Sequence, residues 1–415
     1  MSRMKKLRAL TKTVSKSHGT KVIGSATNMH KDLPRLLTGS LSLDFALGGG
    51  VPVGRTTIFR GGESSAKTTT AYRIAGIAQN LCANCLRFVE DLEVVEYEDK
   101  DTGELYHEAV GFCDCYQAGI FTPKQYADEK KDDYKDRLKK YEENSYEEFR
   151  VALFDIEGDM DFEWAGILGI DVRRLLYSRP ATAEEAIDVY DEIVRTGSVD
   201  LVILDSIALM APSEEVEKTA SDQQQGLQAR IMGKFTRKLV ATINDAIKDY
   251  GRLPTQIWIN QERQKIGISF GDNSVMPGGK AQLFFYAIIL KMWASKWEKE
   301  NFNHGMIEEH KQDMATSVRV NFVTDKNKTF TPKVGGMYRM LVSGPNKGHI
   351  DELKFVLAQA EKFGFYRTEG DVTKKKWYVG DEEYKTKKEA MDRINEPAVM
   401  NDMKRRLLEK MLGAA

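Results

Sequence analysis

The sequence predicts an α/β fold: a mostly parallel central sheet with helices on both faces. Three observations carry this expectation. Short apolar runs alternate with helical stretches from Thr38 onward. TTIFRGGESSAKTTT reads in order as strand, glycine-rich loop and helix start. VALFDIE and LVILDS are apolar strands that end in carboxylates. Buried strands separated by helices are the pattern of a parallel sheet covered on both sides.

The elements follow in order. Residues 1–30 read as an amphipathic helix and a polar linker. TTIFR is a strand and TTAYRIAGIAQNL the helix after it. A charged, tyrosine-rich segment from Cys82 to about Arg150 then breaks the alternation. Its second half, DEKKDDYKDRLKKYEENSYEEF, reads as an exposed helix laced with opposite charges. VALFDIE and DFEWAGILGI resume the strand–helix rhythm. The helix TAEEAIDVYDEIVRTG starts near Thr182 and stops before Gly197, a C-cap residue. LVILDSIALM, TQIWINQE, FYAIILKMW and VRVNFV supply further strands. From about His349 the text reads as a small α/β lobe. It has an apolar helix (LKFVLAQAEKFGF), a strand pair around KKWYVGDEEYKT and a basic helix, MKRRLLEKML.

Composition bounds the function. The chain has 415 residues, 41% hydrophobic and 30% charged, which allows two or three domains with a soluble surface. No apolar run is long enough to span a membrane, and the basic start lacks the apolar stretch of a secretory signal. An intracellular protein is expected. The net charge of −1 conceals segregation: residues 86–149 hold 19 acidic and 9 basic side chains, so the remainder carries +9. The body can attract a polyanion while one segment repels it.

GGESSAKTTT, from Gly61 to Thr70, departs from G-x-x-x-x-G-K-[ST] only in placing Ala66 where the second glycine belongs. Phosphate binding needs converging N–H groups, a flexible cation and a hydroxyl for Mg²⁺. Gly61, Gly62, Glu63, Ser64, Ser65, Ala66, Lys67, Thr68 and Thr69 are the candidate cradle, with Lys67 as cation and Thr68 as metal ligand. Alanine at positive φ costs on the order of 1 kcal/mol, and at negative φ little. Asp205, at the end of LVILDS, can hold Mg²⁺ through water, and Asp155 or Glu157 can orient an attacking water.

All four cysteines fall in the charged segment. Cys82 and Cys85 form C-x-x-C; Cys113 and Cys115 form C-x-C. Between them LEVVEYEDKDTGELYHEAV reads as a hairpin turning at Asp101–Gly103. Paired cysteines joined by a hairpin suit a tetrahedral Zn²⁺ site, though C-x-C is the less usual second half. Two disulfides or four separate buried thiols are the alternatives, and His107 reads as a surface residue of the hairpin.

Taken together these motifs resemble the RecA recombinase family. TGSLSLDFALGGGVPVGR precedes the phosphate loop. FDIEGDMDFEWAGILGIDVRRLLYSRP, VDLVILDSIALMAP, WINQERQKIG and VTDKNK follow in the family's order. The resemblance covers roughly Lys31 to Ser343, apart from the charged segment. It implies a RecA-type P-loop ATPase core at 38–345, and the cysteine pairs and charge of the segment outside the resemblance read as an inserted, acidic, candidate zinc-binding module at 82–150. Residues 1–37 would be a protomer-docking helix with its linker, and 346–415 a C-terminal lobe.

It also implies residue roles. Lys67 and Thr68 would grip the phosphates of ATP and Mg²⁺, and Glu157 would activate water. Asp161 and Trp164 would lie beside the adenine, and Gln261 would sense the γ-phosphate. Lys326 and Lys328 would reach the ATP of the neighbouring protomer. DNA would meet Gly226 and Arg230 in one loop, and Arg263, Lys265, Phe270, Gly271, Gly278 and Gly279 in a second. Lys280 adds charge to the second loop. Departures are Ala66, a first loop without a basic cluster, and Leu290 and Lys291 where an arginine is usual. The end of the chain is basic (Lys404, Arg405, Arg406), so self-inhibition by an acidic tail is not expected.

The implied function is an ATP-dependent DNA recombinase that forms helical filaments on single-stranded DNA and pairs it with duplex DNA. It would work in the cytoplasm of a bacterium or an infected bacterial host. The acidic module would project from the filament as a candidate dock for a protein partner. A ring-forming helicase and a non-enzymatic DNA-coating protein are the rival classes.

Overall fold

The chain opens with a helix, Arg3–His18. A short antiparallel pair, β1 (Arg35–Leu36) and β2 (Val51–Pro52), brackets the helix Leu41–Leu47. β3 (Thr56–Gly61) leads through the glycine-rich loop into the helix Lys67–Ala78. The hairpin β4 (Glu93–Glu98) and β5 (Leu105–Val110) and the helix Lys131–Glu143 belong to the inserted segment. β6 (Val151–Asp155), β7 (Leu175–Ser178), β8 (Leu201–Asp205) and β9 (Thr255–Gln261) then alternate with helices, chiefly Phe162–Ile167, Ala183–Thr196 and Leu227–Asp249. β10 (Arg263–Gln264) and β11 (Ser274–Val275) make a two-residue pair. β12 (Ile288–Phe302), β13 (Gln312–Asn327), β14 (Gly335–Leu341) and β15 (Ile350–Asp351) follow. The helix Leu353–Lys362, β16 (Tyr366–Glu369), β17 (Lys376–Val379), β18 (Glu382–Tyr384) and the helices Lys387–Asn395 and Pro397–Gly413 complete the chain. This computed structural model describes residues 3–18, 33–123, 125, 129–217, 226–249, 253–264, 274–277, 279, 282–302, 312–370 and 375–414.

Among the described residues nine strands form the central sheet, in the order β15-β14-β13-β12-β3-β9-β8-β6-β7. From β12 to β7 every neighbouring pair is parallel; from β12 to β15 every pair is antiparallel. The expected mostly parallel α/β sheet is therefore present. Successive residues of one strand point to opposite faces, and both faces are buried. Phe59, Leu153, Ile203 and Ile257 join one apolar cluster; Ile58, Phe154, Leu204 and Trp258 join another.

Trp258 fixes the middle of β9. It is fully buried between Phe235 and Phe285, with ring centroids 5.1 and 5.4 Å away. Its indole N–H donates to Tyr190 Oη at 2.9 Å, so the ring is buried without an unpaired donor. Thr182 caps the helix Ala183–Thr196 by accepting from Glu185 N at 3.2 Å, and Gly197 ends it at φ 61°. Both ends match the sequence signals.

Two expectations needed extension. FYAIILKMW and VRVNFV are parts of much longer strands, an antiparallel ribbon of 15 and 16 residues. The strand pair near the C-terminus is a three-stranded sheet, because β16 joins it. The apolar cluster of that region also includes Leu41 and Phe45 from the helix Leu41–Leu47. A buried polar joint backs this contact. Glu352 accepts from Leu41 N at 2.7 Å and Ser42 Oγ at 3.1 Å, and from Ser40 Oγ. Lys404 donates to Gly39 O at 3.1 Å. Arg405 pairs with Asp402 and Glu409, so the basic end of the chain is partly neutralised locally.

Candidate nucleotide site and cysteine centre

The phosphate loop lies at the C-terminal edge of the parallel strands. Gly61 is required there by close approach: a Cβ would lie 2.1 Å from the carbonyl oxygen of Met292 on β12. Ala66 adopts φ 62° and ψ 25°, the left-handed region, so the costlier alternative for this alanine holds. Its carbonyl accepts from Thr70 N at 3.0 Å and Thr70 Oγ1 at 2.6 Å, which secures the first helical turn. Ser64 also has positive φ, 54°. Glu63 and Gly62 are exposed, while Ser65 and Lys67 are buried and Thr69 is half-buried.

Lys67 Nζ donates to Gly62 O at 2.6 Å and Ser65 Oγ at 3.1 Å, so the cation curls over its own loop. Burial lowers its pKa, and the nearby Asp205 and Glu157 charges oppose that. Thr68 Oγ1 donates to Asp205 Oδ2 at 2.7 Å. Asp205 is buried, and its Oδ1 has no hydrogen-bond partner among the described residues. Burial pushes this carboxyl up to about 7, partly countered by the Thr68 hydrogen bond. A buried carboxylate with an orphaned oxygen beside a hydroxyl is the hard-oxygen donor set that Mg²⁺ takes.

Glu157 lies beside this pair. Its Oε1 accepts from Ser206 Oγ at 2.5 Å and from Gln261 Nε2 at 3.0 Å. The ends of β6, β8 and β9 thus converge on one carboxylate, which the register of the parallel strands explains. Asp155, the alternative carboxylate, is occupied structurally. It accepts from Gly158 N at 2.7 Å, Met160 N at 3.2 Å and Tyr177 Oη at 2.8 Å. Asp161 caps the helix Phe162–Ile167 by accepting from Trp164 N at 2.9 Å. Trp164 is half-buried, with Lys347 Nζ 5.1 Å from its ring centroid. Sequence reasoning gave no role to Ser206 or Lys347. Ser206 directly follows Asp205, and that adjacency was its available signal.

Lys326 and Lys328 make their side-chain hydrogen bonds away from this cluster. Lys326 pairs with Ile289, which pairs with Ile58, midway along β3. Lys328 N donates to Ala287 O at 2.9 Å, ahead of β12. Both lysines therefore sit toward the N-terminal edge of the parallel strands, opposite the phosphate loop. Their ammonium groups rest on Leu283 O at 2.5 Å and Phe284 O at 2.8 Å.

Of the DNA candidates, Gly226 and Arg230 are exposed at the start of the helix Leu227–Asp249. Arg263 lies in β10. Gly279 has φ 79° and packs on Ala229, where a Cβ would meet the alanine Cβ at 2.9 Å. Gly279 thus lies against the first turn of the helix Leu227–Asp249. Lys265, Phe270, Gly271, Gly278 and Lys280 lie outside the described residues.

The four cysteines meet at the opposite edge of the sheet. The excursion that carries them closes on itself at its base. Cys82 bridges Glu148, and Ala83 N donates to Glu147 O at 2.8 Å. Glu148 in turn holds the buried Arg174 at 2.7 Å. The sulfurs of Cys82, Cys85, Cys113 and Cys115 all lie within 4.8 Å of one another, and Cys85 and Cys113 are 3.7 Å apart. No disulfide joins them. A tetrahedral zinc with Zn–S of about 2.3 Å needs sulfurs about 3.8 Å apart. Burial pushes the Cys115 thiol up to about 11 and raises Cys82 as well. For Cys113 burial is outweighed by hydrogen bonds, first from Cys115 N, and the thiol is lowered. His107 pairs across the hairpin with Glu96 at 3.1 Å and stays out of the cluster.

Comparison with known proteins fits this geometry. The family model described as RecA N-terminal domain matches residues 5–96 and 138–335. The gap between the two matched stretches falls inside the cysteine-bearing excursion. Protein RecA of Fusobacterium nucleatum is 32% identical over 256 residues, which is 61% of this chain and 49% of that protein. The chain thus spans about half the length of that relative. Protein RecA of Pseudomonas fluorescens (strain Pf0-1) is 28% identical over 384 residues, 90% of this chain and 86% of that protein. Protein RecA of Clostridium novyi is 30% identical over 290 residues, 69% of this chain and 62% of that protein.

Proposed function

This chain belongs to the RecA family, and from that premise we propose that it is an ATP-dependent DNA recombinase. It assembles on single-stranded DNA, pairs that strand with a complementary duplex and exchanges strands. Hydrolysis of ATP releases the filament. One observation carries the reading. The Thr68–Asp205 and Glu157–Gln261 contacts sit at one edge of the sheet, while Lys326 and Lys328 sit toward the other. Head-to-tail stacking of copies would complete the site.

The proposed roles follow from chemistry. Gly61 to Thr69 cradle the phosphates, with Lys67 as the mobile cation. Thr68 and Asp205 hold Mg²⁺, which neutralises phosphate charge when bound. Glu157 takes a proton from the attacking water, and Ser206 and Gln261 orient its carboxylate. Gln261, at the mouth of the second DNA loop, links γ-phosphate to DNA. Lys326 and Lys328 add positive charge from the next protomer, where phosphoryl transfer needs it most. Asp161 and Trp164 border the adenine. Arg230 and Arg263, with Gly226 and Gly279, line the DNA path together with the loop residues Lys265, Phe270, Gly271 and Gly278.

The chain divides into a docking helix and linker at 1–37, an ATPase core at 38–345 and a lobe at 346–415. Cys82, Cys85, Cys113 and Cys115 hold a structural Zn²⁺ that closes the base of the 82–150 module. That module exposes Val95, Tyr97, Tyr106 and Val110 on an acidic hairpin, a surface suited to a protein partner. No helix among the described residues is long and apolar enough to cross a membrane. The proposed working place is the cytoplasm of a bacterial cell or an infected bacterial host. The test is strand exchange with ATP by the intact chain and by Lys67→Ala. Exchange by the intact chain alone supports the reading; equal exchange by both contradicts it.

A further inference from the structure

Arg60 is the last side chain of β3 before the phosphate loop, and its environment has no part in the roles above. The side chain is only 11% exposed. Its guanidinium makes ion pairs with both Glu262 and Asp325, and Nε adds a 2.8 Å hydrogen bond to Asp325 Oδ2. The side chains of Glu262 and Asp325 are 9% and 20% exposed. Lys333 completes the set, with Nζ 3.0 Å from Asp325 Oδ1. Burial alone would raise the Asp325 carboxyl, but hydrogen bonds from Arg60 and Lys333 hold it below the usual range.

The two carboxylates sit in telling places. Glu262 follows Gln261, and its N–H donates to Gly61 O at 3.0 Å. Asp325 precedes Lys326. One rigid fork therefore joins the end of β9 to β13, next to the phosphate loop. Burying such charges gains little stability over apolar side chains of similar volume. A fork does fix geometry, because both partners must keep their places for all of its bonds to survive.

We propose that Arg60 is a positioning residue that couples the Gln261 end of β9 to the strand bearing Lys326 and Lys328. A change at Gln261 in one protomer then alters the lysines which that protomer offers to its neighbour. The inference rests on the recombinase reading given above. Arg60 touches neither nucleotide nor DNA in this scheme.

The test compares wild type with the triple variant R60M/E262Q/D325N, which leaves no buried unpaired charge and only the largely exposed Lys333 without its partner, and with R60K, which keeps the charge but loses the fork. Four quantities are read: melting temperature, KM for ATP, the Hill coefficient for ATP, and the ratio of ATPase rates with and without single-stranded DNA. The triple variant is expected to keep its melting temperature, basal rate and KM. Its DNA stimulation should fall about tenfold and its Hill coefficient approach that of independent sites. R60K should fall between the two. A triple variant with wild-type stimulation and cooperativity overturns the inference. So does a loss of stimulation matched by an equal rise in KM and a drop in melting temperature, which would mark a merely structural role. A wild-type chain without DNA stimulation would instead overturn the recombinase reading itself.

Discussion

The two ends of the helix Lys67–Ala78 serve two unlike sites. At its N-terminus, the glycine-rich loop proposed to bind phosphate meets carboxylates from strand ends more than 80 residues away, such as Glu157 and Asp205. Just past its C-terminus, Cys82 meets thiols carried by a turn and a hairpin of one local excursion. The first site is assembled by the register of the parallel sheet. The second has few apolar residues of its own, mainly Val89, Leu92, Phe121 and Tyr146 around the sulfurs. In the proposed zinc site, its cohesion depends on the ion. A scaffold made by packing and a scaffold made by a ligand should therefore fail in different ways.

The largest expected effect separates activity from folding. Lys67→Ala should lower DNA-stimulated ATP hydrolysis at least about 100-fold, as for removal of one preorganised charge-stabilising group. Its zinc content and melting temperature should stay as in wild type. Loss of zinc in this variant would break the comparison. Cys113→Ser is the converse. Metal content should fall from about one zinc per chain towards none, and the unfolding midpoint by about 5 °C or more. Atomic emission and calorimetry check both.

A third variant provides a control inside the packed core. Burial pushes the Asp44 carboxyl up to about 7, against about 3.9 in an unfolded chain. A raised carboxyl stabilises fully below the unfolded value, and that contribution is lost as pH rises through about 7. Asp44→Asn keeps an acceptor for Thr38 N, 2.7 Å away in the wild type. It should flatten the fall in melting temperature between about pH 5 and about pH 8, leaving metal content unchanged. The smallest effect sharpens the phosphate site. Ala66→Gly relieves the left-handed backbone and should stabilise the chain by about 1 kcal/mol in urea titration.

What could be read from the sequence follows the same division. The strand ends at Asp155, Asp205 and Gln261 were legible because apolar runs stop there and the sheet is parallel. The C-x-x-C and C-x-C pairs and the Asp101–Gly103 turn made the cysteine cluster legible too. Contacts across strands were not. Glu157 with Ser206, and Arg60 with Asp325, depend on register between segments distant in sequence, which no local pattern encodes. The length of the β12–β13 ribbon is not legible because its outer half is mostly polar and charged, as in Ser295 to Asn301 with Trp297 as the one aromatic, rather than an apolar run. Ala66 marks a different limit. Its residue type left the sign of φ open, and only the turn itself decides it.

The most direct measurement is phosphate release from Mg·ATP by the purified intact chain, with and without unpaired DNA. A rate that rises when the DNA is added, and collapses in Lys67→Ala, is the result expected. A rate indifferent to DNA would contradict the claim that the Glu157–Gln261 end of the sheet answers to a bound strand.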